Sequence, residues 1–316
     1  MEKNLILFDW LTFTCKADSL DTIRAELGLS DVSWQKMEKG RNGYKQRLFF
    51  ENINILYDGA DNMGICVDIS GQGCRAFESY SKVTWEQLFS TLSYYQDDFK
   101  ITRLDVAFDD HTGILDIDVL RDDTDDHNYV SRSRTWKIEY GSAGTTIYHG
   151  SPKSNMYIRI YDKAAEQELE DRHWIRVELQ MRDEIASGFV DQMMGHPVGV
   201  TFRGVLHNYL RYVVPSADTN MSRWELTEYW QVLLDGINRI RCWSSPGVEY
   251  TIFHLQNYLI NQAGNALDCY LRIFGVEDLL RELGKRAIRR SPKYDRLLTQ
   301  HERLKEAHRA DHQGTD

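Results

Sequence analysis

Residues 157–163 read YIRIYDK, and how this stretch folds decides the rest. Side chains alternate across a β-strand, so Arg159, Tyr161 and Lys163 share one face while Ile158 and Ile160 point to the other. Residues 174–182, WIRVELQMR, repeat the pattern, with Ile175, Val177, Leu179 and Met181 opposite Arg176, Glu178, Gln180 and Arg182. Residues 100–110, KITRLDVAFDD, do so again, with Leu104, Val106 and Phe108 inward and Arg103, Asp105 and Asp109 outward. Any antiparallel sheet with one wet face shows such alternation. Here the polar positions repeat arginine beside carboxylate, around a tyrosine at mid-strand. That inventory suits chemistry on a phosphodiester.

The rest of the chain reads outward from these strands. Residues 4–14, NLILFDWLTFT, form a first strand whose nearly unbroken apolar start predicts burial on both faces. Ser19–Leu27 is a short helix stopped by Gly28. KQRLFF and INILY make a hairpin turning at Glu51 and Asn52, and MGICVDIS leads into GQGCR, read as a tight glycine turn. Thr84–Tyr95 is a helix opened by a Thr84/Gln87 capping box. The carboxylate run DIDVLRDDTDDH (116–127) lacks calcium-loop spacing and reads as a solvated loop. WKIEY and TTIYHG are strands. After Arg182 the pattern turns helical, in Ile185–Met194, Phe202–Val213, Ser222–Ile237 with a Ser222/Glu225 box, Thr251–Phe274 ended by Gly275, and two segments split at Ser291 and Pro292. The expected architecture is α+β, a largely antiparallel sheet with flanking helices followed by an all-helical part. The domains would be 1–195 (catalytic), 196–309 (helical, DNA-binding or dimerising) and a tail, 310–316.

Composition narrows the class. The chain has 316 residues and net charge −10, which argues against a protein coated by nucleic acid over its whole surface. Residues 285–309 nevertheless carry nine Lys or Arg against three Asp or Glu, a basic arm on an acidic body. Within it Arg286, Arg289, Arg290 and Lys293 are candidate DNA contacts, as are Arg75, Arg103, Lys153 and Arg176 nearer the sheet. Five scattered cysteines without C-x-x-C spacing indicate neither a disulfide framework nor a zinc knuckle. No apolar run suits a membrane span or signal peptide, so a cytoplasmic protein is expected. There is no Walker loop, no G-x-G-x-x-G and no nucleophile elbow. The strand-rich part has no H-x-H or H-x-x-x-H pair. A metal on the sheet would therefore take oxygens from Asp105, Asp109 and Glu178, a donor set that selects Mg²⁺ or Mn²⁺.

DWLTFT, SGQGCR (70–75), ITRLDVAFDD (101–110), TTIYHGSPKSNMYIRIYDK (145–163) and WIRVELQMR together resemble the rolling-circle replication initiators and related relaxases grouped as Rep_trans, of Gram-positive plasmids and integrative elements. The resemblance implies a DNA-nicking tyrosine at Tyr161, with Tyr157 and Tyr148 as rivals. It also implies an origin of replication or transfer, single-stranded at the nick, as substrate, with a helicase and a second copy of the chain as further partners. Arg159 and Lys163, one pleat either side, would lower the phenol's pKa from its usual value of about 10. A sequence-specific DNA binder without chemistry, and a phosphodiesterase using water, are the competing classes.

Overall fold

The computed structural model describes residues 4–16, 19–94, 98–142, 144–169, 171–236, 242, 259, 264–285 and 298. Ten strands form one wholly antiparallel sheet, in the order β2 (Gln35–Met37), β3 (Gln46–Phe50), β4 (Ile53–Tyr57), β5 (Ile65–Ser70), β1 (Leu5–Cys15), β6 (Phe99–Asp110), β11 (Ile175–Arg182), β10 (Met156–Asp162), β9 (Gly144–His149), β8 (Trp136–Gly141). A separate pair joins β7 (Tyr129–Ser131) to β12 (Leu210–Tyr212). The three quoted stretches are thus adjacent central strands. Their apolar sides are buried, with Val106, Ile158, Ile160, Val177, Leu179 and Met181 fully covered.

That apolar face is closed by helices. Among them are α1 (Leu20–Glu26), α2 (Gly71–Tyr80), α3 (Trp85–Tyr94), α6 (Asp183–Met193), α7 (Val198–Tyr209) and α8 (Glu228–Leu234). Phe77, Trp85 and Phe89 meet Phe8 of β1 in an aromatic cluster, Phe8 lying 5.1 Å from Trp85 and 5.0 Å from Phe89. Rings at such distances add to plain burial. The same core takes in Phe202, Val205, Leu206, Tyr212 and Trp230, so residues on both sides of position 195 build it.

Local signals explain most element ends. Ser19 caps α1 through a bond from Thr22 N–H, and Gly28 follows at φ 63°. Thr84 and Gln87 exchange the two bonds of a capping box. Glu51 and Asn52, both at positive φ, turn the β3–β4 hairpin. Gly275 ends α9 (Gly264–Phe274) at φ 83°, before α10 (Val276–Lys285).

Six readings are corrected. The start of β1 is not buried on both faces, and Leu5 is 54% exposed, because β5 pairs only with Trp10–Cys15. GQGCR is the first turn of α2, not a turn between strands. Gly73 does allow a close approach, since a Cβ there would lie 2.5 Å from the Asn52 carbonyl oxygen. The acidic run is a helix, α4 (Ile117–Asp125), capped by Asp116 and burying Leu120. The Phe202 helix starts earlier and gives way to β12. The Ser222 region is a single 3₁₀ turn (Met221–Arg223), with Thr227 in front of α8. Finally, β10 ends at Asp162, whose side chain caps the one-turn α5 (Lys163–Glu166), so Lys163 opens a helix. Half of the expected Thr251–Phe274 helix, and the residues around Ser291 and Pro292, lie outside the described residues.

Candidate active site

The register of three strands builds the site. In one row Tyr161 of β10 lies opposite Arg176 of β11, which lies opposite Asp109 of β6. In the next, Arg159 faces Glu178 and Glu178 faces Ala107. In the third, Tyr157, Gln180 and Asp105 are aligned. Because strand alternation holds throughout, every one of these side chains emerges on the face away from the helices.

Each arginine of these rows is held by a carboxylate. Nη2 of Arg159 donates to both Glu178 oxygens, at 2.5 and 2.6 Å. Arg176 grips Asp109 through two nitrogens, at 2.6 and 2.8 Å, and reaches Asp9 at 3.3 Å. Arg103 holds Asp105 in the same forked way and stacks 3.9 Å over the ring of Trp10. Such charge-assisted, two-point bonds are the strong ones. Glu178, Asp105, Asp109 and Arg176 are all buried, whereas Arg159 keeps 34% of its side chain exposed. The site therefore meets solvent chiefly at Arg159, with Arg103 21% and Lys163 15% exposed.

Tyr161 is the tyrosine at the centre of this network. Its hydroxyl donates to Glu178 Oε2 at 3.4 Å, and Arg159 and the Lys163 ammonium lie 5.5 and 5.6 Å from its ring. Lys163 also pairs with Glu166. Tyr157 instead stacks flat against Tyr148, 5.5 Å between centroids, and Lys137 sits over Tyr148. The expected lowering of the Tyr161 pKa is reversed. Burial first, and then the Glu178 carboxylate, push its phenol well above the usual value, and the nearby cations do not outweigh them. Burial also lifts Tyr157 to about 12, and it lifts Asp105 to about 7 despite the Arg103 bond, with Glu178 adding to the rise. Tyr161 is thus a neutral phenol whose hydroxyl is held by the Glu178 carboxylate.

The three carboxylates expected to hold Mg²⁺ or Mn²⁺ do not fit that role as a set. Asp105 and Asp109 are four residues apart on one strand, about 13 Å at the usual rise, and Glu178 lies beside the midpoint. Each is occupied by an arginine. Among the described residues no three His, Cys, Asp or Glu gather as a metal-holding group.

The expected DNA contacts are dispersed. Arg103 and Arg176 are bound to carboxylates on the face itself. Arg75, on α2, donates to the Phe8 carbonyl at 2.6 Å and to Glu78 at 2.8 Å. Lys153 is exposed on the β9–β10 turn. Arg286, Arg289, Arg290 and Lys293 lie outside the described residues. Sequence reasoning missed Asp9, which reaches Arg176 because a bulge between Phe8 and Trp10 interrupts the β1–β6 register there. Strict alternation gives no sign of a bulge.

The fold agrees with the comparisons to known proteins. Residues 99–283 match the replication initiation factor family, Rep_trans, and the chain belongs to it. Residues 5–92 match the N-terminal domain of rolling-circle replication initiation proteins. A rolling-circle replication initiator protein from Geobacillus stearothermophilus has a similar structure, with TM-score 0.69 and 32% identity over 76% of this chain and 100% of that one. A Bacillus subtilis (strain 168) protein assigned as the DNA relaxase NicK is 29% identical over 268 residues, 77% of this chain and 74% of the relative. Among the described residues no helix is long and apolar enough to cross a membrane.

Proposed function

We propose that the chain nicks and rejoins one DNA strand at an origin, through a covalent bond between Tyr161 and the 5′ phosphate. The observation that carries this is the Tyr161 hydroxyl donating to Glu178 between Arg159 and Arg176. Glu178 takes the phenolic proton as Oη attacks phosphorus, and the 3′ oxygen leaves and takes a proton from water to become the 3′-hydroxyl. Arg159, whose buried Nε has no hydrogen-bond partner among the described residues, stands at the solvent side where a phosphate enters, with Lys163 beside it. Arg176 is a positioning residue, locked by Asp109 and Asp9. The phosphotyrosyl ester keeps the energy of the broken bond, so the reverse attack by the 3′-hydroxyl reseals the strand without ATP. The similar proteins are an initiator and a relaxase, and both jobs start from this nick.

The test is adduct formation. Purified chain incubated with a single-stranded origin oligonucleotide should yield a protein–DNA adduct that survives denaturant, and Tyr161→Phe should bind the DNA yet yield none. A wild-type adduct level in Tyr161→Phe would move the nucleophile to Tyr157 or Tyr148. Hydrolysis without adduct would make the protein a phosphodiesterase, and binding without any cleavage a binder.

A further inference from the structure

At the opposite end of β10 from Tyr161 the structure holds a cavity of about 360 Å³. Its walls are Arg132–Thr135 before β8, Gly150 and Ser151 with Ser154–Met156 around the β9–β10 turn, Ile185 of α6 and Tyr209 of α7. The lining contains two arginines, four hydroxyl-bearing Ser and Thr residues, and no carboxylate. On a chain of net charge −10 this is unusual, since the arginines of the candidate active site each carry an acidic partner. Arg134 has no hydrogen bond or ion pair among the described residues. Arg132 lies 5.7 Å over the Tyr209 ring, which holds its guanidinium at the wall.

The cavity is built before any ligand arrives. Arg132 N–H donates to the Tyr209 carbonyl at 3.0 Å, Gly150 N–H to that of Thr135 at 2.7 Å, and Ser154 Oγ to that of Met156 at 2.7 Å. Gly150, at φ 103°, lets the two loops meet, since a Cβ there would stand 2.9 Å from the Met156 oxygen and 3.2 Å from Ser133 Oγ. A preformed site spends little of its binding energy on ordering. Planar guanidiniums suit phosphate oxygens, hydroxyls supply further bonds, and Met156, Ile185 and Tyr209 offer an apolar wall for a sugar or base. The volume is in the range of sites for small ligands and exceeds the need of a bare anion.

We propose that this cavity binds one phosphate–sugar unit of the DNA strand, several nucleotides from the scissile phosphate. The proposal rests on the nicking reading for the identity of the strand. Met156, Ile185 and Tyr209 belong to the helix-covered side of the sheet, so the strand passes from the Tyr161 face round the β9–β10 turn to reach them. Five strand steps are about 17 Å, and crossing the sheet adds about 10 Å. That path equals roughly eight nucleotides at the duplex rise of 3.4 Å, and fewer in a stretched single strand. Exposed Lys153, on the turn beside the cavity, extends its positive rim.

The test uses the full chain carrying Tyr161→Phe, so that binding is read without cleavage. Origin oligonucleotides are lengthened one nucleotide at a time on either side of the nick, and affinity is followed by fluorescence anisotropy. Affinity should rise by about ten-fold or more at one length, roughly four to eight nucleotides from the nick, and the slope against log salt should steepen by about 0.7 there. Arg132→Ala/Arg134→Ala should remove that step, measured as the ratio of long to short oligonucleotide. Arg134→Ala alone, which breaks no protein bond, should reduce it. A step that persists in both variants, or is absent from the unsubstituted arginine chain at every length, overturns the proposal. So does Arg134-dependent binding of a free deoxynucleoside monophosphate with no length step, which would make the cavity a nucleotide site. Failure of the nicking reading shows separately, as a missing adduct in the chain with Tyr161 intact.

Discussion

Replacing Glu178 with Gln isolates the role assigned to that carboxylate. The amide keeps the shape and can still accept one bond from Arg159 Nη2, which now meets both oxygens at 2.5 and 2.6 Å, but it cannot take a proton from Tyr161. Burial already holds the Tyr161 phenol above its usual pKa, so without a base almost no phenolate exists at neutral pH. Loss of a general base costs about 10²- to 10⁴-fold in rate, and Glu178→Gln should fall in that range. The fold should survive. Breaking a fully buried ion pair costs about 3–5 kcal/mol, but Arg159 is 34% exposed and water can reach its stranded charge, so about 1–2 kcal/mol is expected. The assay is single-turnover adduct formation at saturating oligonucleotide, with a urea melt of each protein to check stability. An adduct rate within about three-fold of wild type, with the melt shifted as expected, would refute the base assignment. Another group would then have to accept the Tyr161 proton.

Asp109→Asn should destabilise the chain by about 3 kcal/mol in urea, the low end for a broken buried pair because Asp9 still faces Arg176, and Asp109→Leu/Arg176→Met should recover most of it. His149, buried between Tyr129 and Tyr212, has its imidazole pushed down to about 3 by desolvation. The unfolded chain therefore takes up a proton near pH 6.5 that the native state refuses. This contribution to stability is complete above pH 6.5 and lost as pH falls toward 3, about 2 kcal/mol of it by pH 5. In His149→Phe, urea midpoints at pH 7 and pH 5 should differ less than in wild type by that amount, and an unchanged difference would show that His149 does not drive the acid loss. Gly73→Ala should destabilise by about 1–3 kcal/mol, although alanine favours helix, because its Cβ would collide with the Asn52 backbone; a higher melting temperature would contradict the packing of α2 on the β3–β4 turn.

Much of this protein was legible without coordinates, where the signal is local. A period of two in YIRIYDK, WIRVELQMR and ITRLDVAFDD can be satisfied only by strands with one apolar side, so the face carrying Tyr161, Arg159, Glu178, Arg176 and Asp109 follows from backbone geometry. The Thr84/Gln87 box and the glycines at 28 and 275 act over three or four residues and were readable for the same reason. Tertiary structure decided who meets whom. Pairing of β6 with β11 joins residues 65 to 79 positions apart, and the register of β6, β11 and β10 places Glu178 against Arg159 and Tyr161 rather than with Asp105 and Asp109 around an ion. The bulge that turns Asp9 toward Arg176, and the cavity walled by Arg132 and Arg134, likewise need strands and loops from distant parts of the chain. Burial is a property of the assembled fold, and it sets the protonation of Tyr161. Two cations one pleat away suggested a lowered pKa, and the desolvation that reverses it exists only once the sheet is packed.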